Sequence, residues 1–597
     1  MKMIADKQRL LDEAKTHVGK IQQVITVELD DVAKTIKNYR SGHGTDDPFV
    51  RAKLLEHFSN RQEQLNQLVP SPYFFRCDVK KDGENQSLYF SKFSLIDQSI
   101  YSWTTPIARL RFTDIGPATY STPKKGEWIG EITRKDQFMI VGGKIIFMTN
   151  EDKNSGRTLI YQEQLSNRKV GFILPEIVER MERAQDDVIR APSDGPFLIA
   201  GPAGSGKTTL ALHRLAYLLQ SPETSTRFTA QNVIVFVQDE GTRAYFSRLL
   251  PDLGIHDVQV TTFSEWAMRL LGLHDFTFIR RPNGVDESID AYEHHKLTAM
   301  KMPIVQANTK KPFTSLEKIY TNTFSTEDRQ TFKTQIEQKQ LDRFDLSILL
   351  RAHTQEGPLL QEKEYFIAKK NFEIQRKTKM VPVQYNLIVV DEAQNYLPEQ
   401  LSLLRQCAST DTNGMLYVGD LGQQVLLGTL HDWSETGENI SPERKIVLEK
   451  VYRSTRQILR YIQTQGFAVS IPEGLREGKP VVEKCFKDVF QELAYVQTIV
   501  QQSASHIQIG ILSPSSSSLV PYRQAFAEKS NVHVLTIHES QGVEFETVLL
   551  IGQDEIFLTK LQHRELQEEL SRIKRDLLYV ALTRAMDELF VFSVNSL

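Results

Sequence analysis

The chain has 597 residues, of which 40% are hydrophobic and 25% are charged, and its net charge at pH 7 is −3. This length is too great for one hydrophobic core, so we expect several domains of ordinary size in a soluble globular protein. The small net negative charge excludes the class of proteins that bind nucleic acid through their overall positive charge. Any contact with nucleic acid must therefore be local.

Cysteine usage and hydropathy bear on the compartment. The three cysteines, Cys77, Cys407 and Cys485, are far apart and lack metal-site spacing, so we expect neither a zinc site nor a disulfide framework. This pattern fits a reducing compartment. No apolar run of about 18 residues occurs, and the N-terminus lacks the apolar core of a secretory signal. We therefore expect no membrane span and a cytoplasmic location.

Residues 1–69 predict an antiparallel helical hairpin. In the first helix, apolar residues recur every three or four positions, at Leu11, Ala14, Val18, Ile21, Ile25, Val32 and Ile36. A polar break over 41–48, which includes Asp46 and Asp47, separates it from a second helical pattern that ends before Pro70. The pattern leaves open whether the hairpin projects as an arm or packs as a cap on the main body.

Residues 70–170 predict a small β-rich module. Segments such as 87–94 and 144–149 alternate apolar and polar residues, and turn pairs such as Gly142-Gly143 separate them. Trp103 and Trp128 are expected in its core.

From about residue 171, buried strands alternate with helices, which is typical of parallel α/β folds. We expect one nucleotide-binding domain over 171–440 and a second over 441–597. A charge-rich stretch at about 271–383 indicates an insertion in the first. We interpret the basic cluster at its end as a solvated helix face rather than a binding site; it comprises Lys369, Lys370, Arg376, Lys377 and Lys379.

A phosphate-binding loop is predicted between an apolar strand at 197–200 and a helix that begins near 210. The segment 201–208, GPAGSGKT, fits the pattern G-x-x-x-x-G-K-[ST]. Lys207 would reach the β- and γ-phosphates, and the Thr208 hydroxyl would ligate Mg²⁺. The loop and helix start would supply N–H groups to the phosphates, and its predicted nucleotide-binding residues are Gly201, Gly204, Ser205, Gly206, Lys207, Thr208 and Thr209.

Two carboxylates follow the apolar strand at 387–390. At this position Asp391 can hold Mg²⁺ together with Thr208. Its neighbour Glu392 can orient and deprotonate the attacking water. The sequence therefore predicts a nucleoside triphosphatase that uses ATP and Mg²⁺, with Lys207 also taking part in catalysis.

From residue 172 to the end, the ordered motifs resemble those of UvrD/Rep-type superfamily-1 helicases. Besides the loop and the carboxylates, they are the segments 418–423, 451–455, 535–545 and 578–585. The resemblance implies two RecA-like parallel-sheet P-loop ATPase domains that close on ATP. It also implies that Gln185 recognises the adenine and that Tyr452 stacks on the base. Gln423 and Arg453 would contact the γ-phosphate, and Arg584 would be an arginine finger. Gly542 and Glu544 would belong to the motif that links the nucleotide to nucleic acid.

Three departures separate this chain from processive helicases of that family. Only about eighty residues lie between Arg453 and Thr536, which leaves no room for the large extra domain found there. The segment after Gln423 lacks the aromatic run that stacks on single-stranded DNA, although Trp433 is a candidate substitute, and Gln541 stands where many relatives have Lys.

These three features, together with segments such as 101–106 and 245–254, make the chain similar to the HelD-like branch of the family. That resemblance implies an ATPase that binds RNA polymerase and helps release it from nucleic acid. We expect the protein to be a monomer. The hairpin would enter the polymerase's secondary channel and the insertion its DNA-binding channel, so that contact with DNA is direct or passes through the polymerase. A DNA helicase or translocase in repair, recombination or defence remains the alternative.

Overall fold

The computed structural model describes residues 2–41, 47–81, 83–122, 126–152, 156–162, 183–281, 287–303, 311–368, 374–448, 451, 453–472, 475–553, 556 and 566–594. Within these ranges, no helix is both long and apolar enough to cross a membrane. A helical hairpin, a mostly antiparallel sheet and two parallel sheets follow one another along the chain. This mixed α/β architecture confirms the predicted fold class.

The hairpin consists of helices α1 (Lys2–Arg40) and α2 (Pro48–Leu68). The predicted apolar stripe of α1 is buried along its whole length, from Leu11 to Ile36. Asp47 begins α2, because its carboxylate accepts hydrogen bonds from the backbone N–H groups of Phe49 and Val50. Asp46 lies outside the described residues.

The β module is one sheet in the strand order β3-β2-β1-β5-β6-β7, with β4 paired to β5. Trp103 is buried in its core, whereas Trp128 is half-buried beside Tyr120. The strands are β1 (Phe75–Lys81), β2 (Glu84–Ser91), β3 (Ile100–Ser102), β4 (Gly116–Thr122), β5 (Gly126–Val141), β6 (Lys144–Asp152) and β7 (Gly156–Gln162).

The near half of the hairpin is anchored on this sheet. The His17 ring stacks on Tyr89 with centroids 4.2 Å apart, and Glu13 pairs with Arg76 at 2.5 Å. Further along, Arg61 of α2 pairs with Glu28 and donates to the Ser94 carbonyl at 3.1 Å. Beyond Glu28, α1 runs about 18 Å further to Arg40.

We call residues 29–60 the distal arm. Its described ring contact joins the two helices, with Tyr39 stacked on Phe58 at 5.8 Å. Val50 leaves 45% of its surface exposed. The hairpin is thus docked at its base and projects at its tip, which combines the two alternatives that the sequence left open.

The described residues of the next region, 183–448, form ten strands in three sheets. In chain order they are β8 (Pro196–Ala200), β9 (Val233–Val237), β10 (Gln259–Thr262), β11 (Thr277–Phe278), β12 (Gln340–Leu341), β13 (Leu360–Ala368), β14 (Ile374–Pro382), β15 (Leu387–Val390), β16 (Met415–Gly419) and β17 (Lys445–Val447). The main sheet is parallel throughout, in the order β10-β9-β15-β16-β8-β17. Its central strands are apolar and fully buried, as a sheet covered on both faces requires.

The helices of this region are α3 (Arg183–Ile189), α4 (Lys207–Gln220), α5 (Glu240–Asp252), α6 (Phe263–Leu270), α7 (Glu287–Lys301), α8 (Pro312–Tyr320), α9 (Thr326–Glu337), α10 (Arg343–Glu356) and α11 (Pro398–Arg405). Apolar residues of α7 to α10 share one core with β9 and β15. In that part of the fold, the fully buried Lys296 donates to Asp342 at 2.6 Å and to Asp345 at 2.9 Å. The helices of the charge-rich stretch are therefore packed on the main sheet.

The described residues of the basic cluster at the end of this stretch lie on a strand rather than a helix. Arg376, Lys377 and Lys379 are part of strand β14, which pairs antiparallel with β13 in a separate two-stranded sheet. The interpretation as a helix face is thus wrong for these three residues. Lys369 and Lys370 lie outside the described residues.

The last region forms a second parallel sheet, in the order β18-β22-β21-β19-β20. Its strands are β18 (Val482–Cys485), β19 (Ile509–Ser513), β20 (Val532–Thr536), β21 (Phe545–Leu550) and β22 (Ala585–Ser593). Its helices are α12 (Arg456–Thr464), α13 (Val489–Gln502), α14 (Val520–Ala525) and α15 (Gln567–Thr583).

Candidate active site

The glycine-rich loop connects β8 to α4, in the strand–loop–helix order that the sequence predicts. Gly204 and Gly206 have φ angles of +71° and +88°, in the left-handed region that favours glycine. At Gly201, a Cβ atom would lie 2.4 Å from the backbone oxygen of Leu448. Conformation at two positions and close packing at a third therefore require glycine in this loop.

Two polar side chains of the loop are poised for an acceptor. The Lys207 ammonium donates to the carbonyl of Pro202 at 3.0 Å, and Lys207 is only 7% exposed. The Ser205 hydroxyl is buried without a hydrogen-bond partner among the described residues. A buried hydroxyl without a partner is costly, and a phosphate oxygen would satisfy it. The loop therefore fits a phosphate group.

Thr208, in the first turn of α4, meets Asp391, which directly follows β15. The Thr208 hydroxyl donates to Oδ1 of Asp391 at 3.1 Å. Burial, and then the adjacent charge of Glu392, raise the pKa of Asp391 to about 7. A hydroxyl and a carboxylate are the oxygen ligands that Mg²⁺ prefers, and a cation beside them would favour the ionised carboxylate. These two residues therefore fit a magnesium ion.

Glu392 is held in an unusual backbone conformation. Its φ angle is +49°, a region that non-glycine residues adopt at a cost of about 1–3 kcal/mol. The buried Gln394 amide donates to Oε2 of Glu392 at 2.6 Å and accepts from the backbone N–H of Asp420 at 3.1 Å. Gln394 thus fixes the Glu392 carboxylate to the end of β16.

Arg584 brings a buried guanidinium to the cleft from the second parallel sheet. Its Nη2 donates to Oε1 of Gln423 at 2.8 Å, and Arg584 is only 4% exposed. Gln423 also donates to Asp420 at 2.7 Å. A hydrogen-bonded path thus runs from the second sheet to the end of the first, where Gln394 holds Glu392.

A second arginine is more exposed. Arg453 Nη1 donates to Oε2 of Glu544 at 2.6 Å, and 41% of the Arg453 side chain is exposed. Gly542 has a φ angle of +76°, and a Cβ there would lie 3.5 Å from the Thr242 hydroxyl. The motif at 535–545 therefore faces α5 of the first region across a narrow gap.

These elements enclose one cleft between the two parallel sheets. Of the residues predicted from sequence, it is lined by Gly204, Gly206, Lys207, Thr208, Thr209, Asp391, Glu392, Gln423, Arg453, Gly542, Glu544 and Arg584. Gly201 and Ser205 belong to the loop but do not line the cleft, and Gln185 lies half-buried on α3. Tyr452 is outside the described residues.

Thr242 and Phe246 of α5 also line the cleft, and sequence reasoning missed them. Their helix follows β9, which pairs with β15 so that Phe236 lies opposite Val390. The start of α5 is therefore brought next to Asp391. A signal was available, because this helix follows the second buried strand of the same sheet.

A second groove adjoins the cleft at the same edge of the first sheet. It is lined by residues that follow β9, β10 and β15, by Arg280, Arg281 and Arg343, and by His538 and Gln541 of the second region. Asn395 donates to Gln541 at 3.4 Å, and Gln541 donates to the backbone oxygen of Gln423 at 3.3 Å. This chain of contacts connects the groove to the cleft.

The charges in this groove are largely compensated. Arg281 pairs with Asp290 and with Glu293 at 3.2 Å, and Arg343 pairs with Glu293 at 3.0 Å. Trp433 is buried in the core of the first sheet, and its ring does not line the groove. The candidate aromatic substitute thus has a core position.

Three family comparisons cover most of the chain. Residues 181–426 match the UvrD/REP helicase N-terminal domain, and residues 515–596 match the UvrD-like helicase C-terminal domain. Residues 5–160 match the N-terminal domain of DNA helicase IV HelD. The hairpin and the β module thus match one family description, and the two parallel sheets match the others.

One curated relative and one solved structure are also similar. The sequence is 23% identical over 451 residues to a probable DNA helicase from Mycoplasma pneumoniae, covering 67% of this chain and 81% of the relative. The solved structure is the C-terminal domain of a possible DNA helicase from Lactobacillus plantarum WCFS1. It is 19% identical to this chain, the match covers 24% of this chain and 89% of the solved domain, and the TM-score is 0.19.

Proposed function

Because the chain belongs to the HelD-like branch of the UvrD/Rep-type superfamily-1 helicases, we propose that it is an ATP-hydrolysing motor that binds RNA polymerase and helps to release it from nucleic acid. One observation carries the polymerase part of this proposal. The hairpin is anchored on the β module at its base, while the distal arm projects about 18 Å beyond Glu28. A narrow helical arm can enter a channel that a globular domain cannot.

The cleft supports the ATPase part through charge and position. Phosphoryl transfer depends mainly on positioning and on neutralising charge. Lys207 would bind the phosphates, while Thr208 and Asp391 would hold Mg²⁺, which when bound neutralises phosphate charge. Glu392 would accept the proton of the attacking water. Arg453 and Arg584 approach from the second sheet, so that their contacts with the γ-phosphate would close the two sheets together.

The arm is tested by removing it while its anchor is kept. Replacing residues 32–58 by a short Gly-Ser linker retains the Glu28–Arg61 ion pair and the contacts of His17. We expect the full-length protein to co-purify with RNA polymerase from its native cell and the shortened protein to lose this partner. Basal ATP hydrolysis should be similar in both, because no described residue of the arm lines the cleft.

The control for this experiment is the substitution Asp47→Asn. It removes one charge at the tip but retains a side chain that caps α2 well, whereas alanine would cost about 0.5–2 kcal/mol of helix stability. The Asp47→Asn protein should keep the polymerase. Equal recovery of polymerase with the shortened protein would refute a binding role of the distal arm.

A second function, that of a DNA helicase or translocase, is favoured by the groove beside the cleft. Hydrogen bonds through Asn395 and Gln541 connect this groove to Gln423, so that a DNA strand in the groove could respond to the nucleotide in the cleft. Against this function, the guanidinium groups of Arg281 and Arg343 already have carboxylate partners. This pairing weakens their attraction for phosphates.

We therefore expect weak or absent strand separation. The measurement is displacement of the labelled strand of a tailed DNA duplex, with ATP, at low and at physiological salt. Activity that disappears as salt rises would reflect only non-specific phosphate contacts. Strong ATP-dependent unwinding at physiological salt would favour the helicase function over polymerase release.

A further inference from the structure

The antiparallel sheet of β13 and β14 lies at the edge of the main sheet opposite the cleft. Its register runs from Leu360 opposite Pro382 to Ala368 opposite Ile374. The chain then enters β15 at Leu387, whereas the cleft lies beyond the other end of that strand, at Asp391. We call this two-stranded sheet the ribbon. It is separated from the cleft by the length of β15, about 13 Å.

The two faces of the ribbon differ sharply in charge. Because side chains alternate between faces along a strand, the register places three lysines, one tyrosine, two glutamines and one valine on one face, which we call the lysine face. Among the residues whose side chains the structure describes, its members are Gln361, Lys363, Tyr365, Gln375, Lys377, Lys379 and Val381. On the opposite face, Glu364 forms an ion pair with Arg376.

The lysine face is electrostatically unfavourable by itself. Lys363 lies directly opposite Lys379, and like charges at such positions destabilise a sheet by roughly 0.2–1 kcal/mol. Among the described residues, none of its three lysines forms an ion pair, and each is exposed. Lys379 instead lies 5.9 Å from the ring centroid of Tyr365. A bound polyanion would relieve this repulsion.

The spacing and the aromatic ring indicate which polyanion fits. Lys377 and Lys379 are two residues apart, which corresponds to about 6.8 Å along the strand. Each strand of a duplex carries one phosphate per about 3.4 Å of helix axis, so the lysine spacing fits a phosphate backbone of either a single strand or a duplex. Tyr365 is 38% exposed, lies directly opposite Lys377 and follows Lys363 on the same face of its own strand, where it can stack on a base.

We propose that the lysine face of the ribbon binds single-stranded nucleic acid, with phosphates along Lys363, Lys377 and Lys379 and a base on Tyr365. This site goes beyond the proposed function, because it needs neither ATP nor polymerase. It is also distinct from the groove beside the cleft, which lies at the carboxyl edge of the main sheet. The ribbon would hold a strand while the cleft opens and closes.

The test measures binding of a fluorescein-labelled oligothymidine by anisotropy, with full-length protein and without nucleotide. The variant is Lys363→Gln, Lys377→Gln and Lys379→Gln together. We expect its affinity at low salt to fall about ten-fold or more. The slope of log K against log salt should decrease in magnitude by about 2, since each single-strand phosphate contact contributes about 0.7.

The matched control changes three exposed lysines elsewhere on the same stretch, as Lys311→Gln, Lys318→Gln and Lys333→Gln. It alters the net charge equally and should leave the affinity within about two-fold. Tyr365→Leu should weaken binding of the single strand by about five-fold or more, because base stacking contributes about 1–3 kcal/mol. It should leave binding of a duplex of the same length unchanged.

Two results would overturn the proposal. Equal binding by the lysine variant and its control would show that the ribbon does not contact the strand. A silent Tyr365→Leu substitution, together with equal affinity for duplex and single strand, would reject the single-stranded ligand. Neither result would affect the polymerase proposal, because its experiment changes only the distal arm.

Discussion

Replacing Arg584 by alanine is expected to lower the rate of ATP hydrolysis by about 10³- to 10⁵-fold while nucleotide binding remains measurable. An arginine that approaches from a second domain stabilises the charge that develops on the transferred phosphoryl group, and such groups contribute on this scale. In the structure the guanidinium is buried and already donates to Gln423 at the cleft. The measurements are kcat under saturating ATP and titration with a fluorescent ATP analogue.

Two further substitutions separate catalysis from folding. Arg584→Lys keeps the positive charge but loses the planar fork, so we expect it to remain strongly impaired. Arg460→Ala removes an exposed arginine of the same region, whose partner is Glu477, and should leave kcat unchanged. A kcat within ten-fold of the original in Arg584→Ala protein would remove Arg584 from the catalytic set.

The parts of the cleft that sequence could predict are those with fixed local geometry. A glycine-rich loop between a buried strand and a helix has essentially one shape, and the structure has left-handed glycines at Gly204 and Gly206. The carboxyl ends of parallel strands meet at one edge, so that Asp391 was expected near Thr208.

Residues that depend on the order of strands were harder to predict. Thr242 and Phe246 reach the cleft because β9 lies beside β15, although about 150 residues separate those strands in the sequence. The contact of Gln394 with Glu392 likewise depends on the backbone turn at Glu392. Such contacts are tertiary: the sequence shows that the helix of Thr242 follows a buried strand, but it does not show that this strand lies beside β15.

The charge pattern led to a wrong prediction where β-strand pairing overrides the helix propensity of the residues. Lysine, arginine and glutamine favour helices, so the cluster near Lys377 suggested a helix face. Pairing with β13 places it in a strand instead, and only the register shows that three lysines share a face without carboxylates. In the opposite case, Lys296 is fully buried between Asp342 and Asp345, where composition would suggest a surface lysine.

The second large effect is expected from Glu392→Gln, which should slow ATP hydrolysis by about 10²- to 10⁴-fold and leave ATP binding intact. A general base contributes rate on this scale, and glutamine has the same shape but cannot accept the proton. The amide of Gln394 can still donate to the new side-chain oxygen, so the left-handed turn at this position should persist. The measurements are single-turnover hydrolysis and equilibrium binding of ATP with Mg²⁺.

Glu399→Gln provides the matched control for this prediction. It makes the same chemical change seven residues away on α11, where Glu399 pairs with Arg351 at 3.3 Å outside the cleft. Its kcat should stay within about two-fold of the original. Lys207→Ala provides the contrasting variant, because losing the phosphate-binding ammonium should weaken ATP binding itself. If Glu392→Gln protein hydrolyses ATP at a near-normal rate, another group activates the water, and the strained turn at Glu392 has no catalytic purpose.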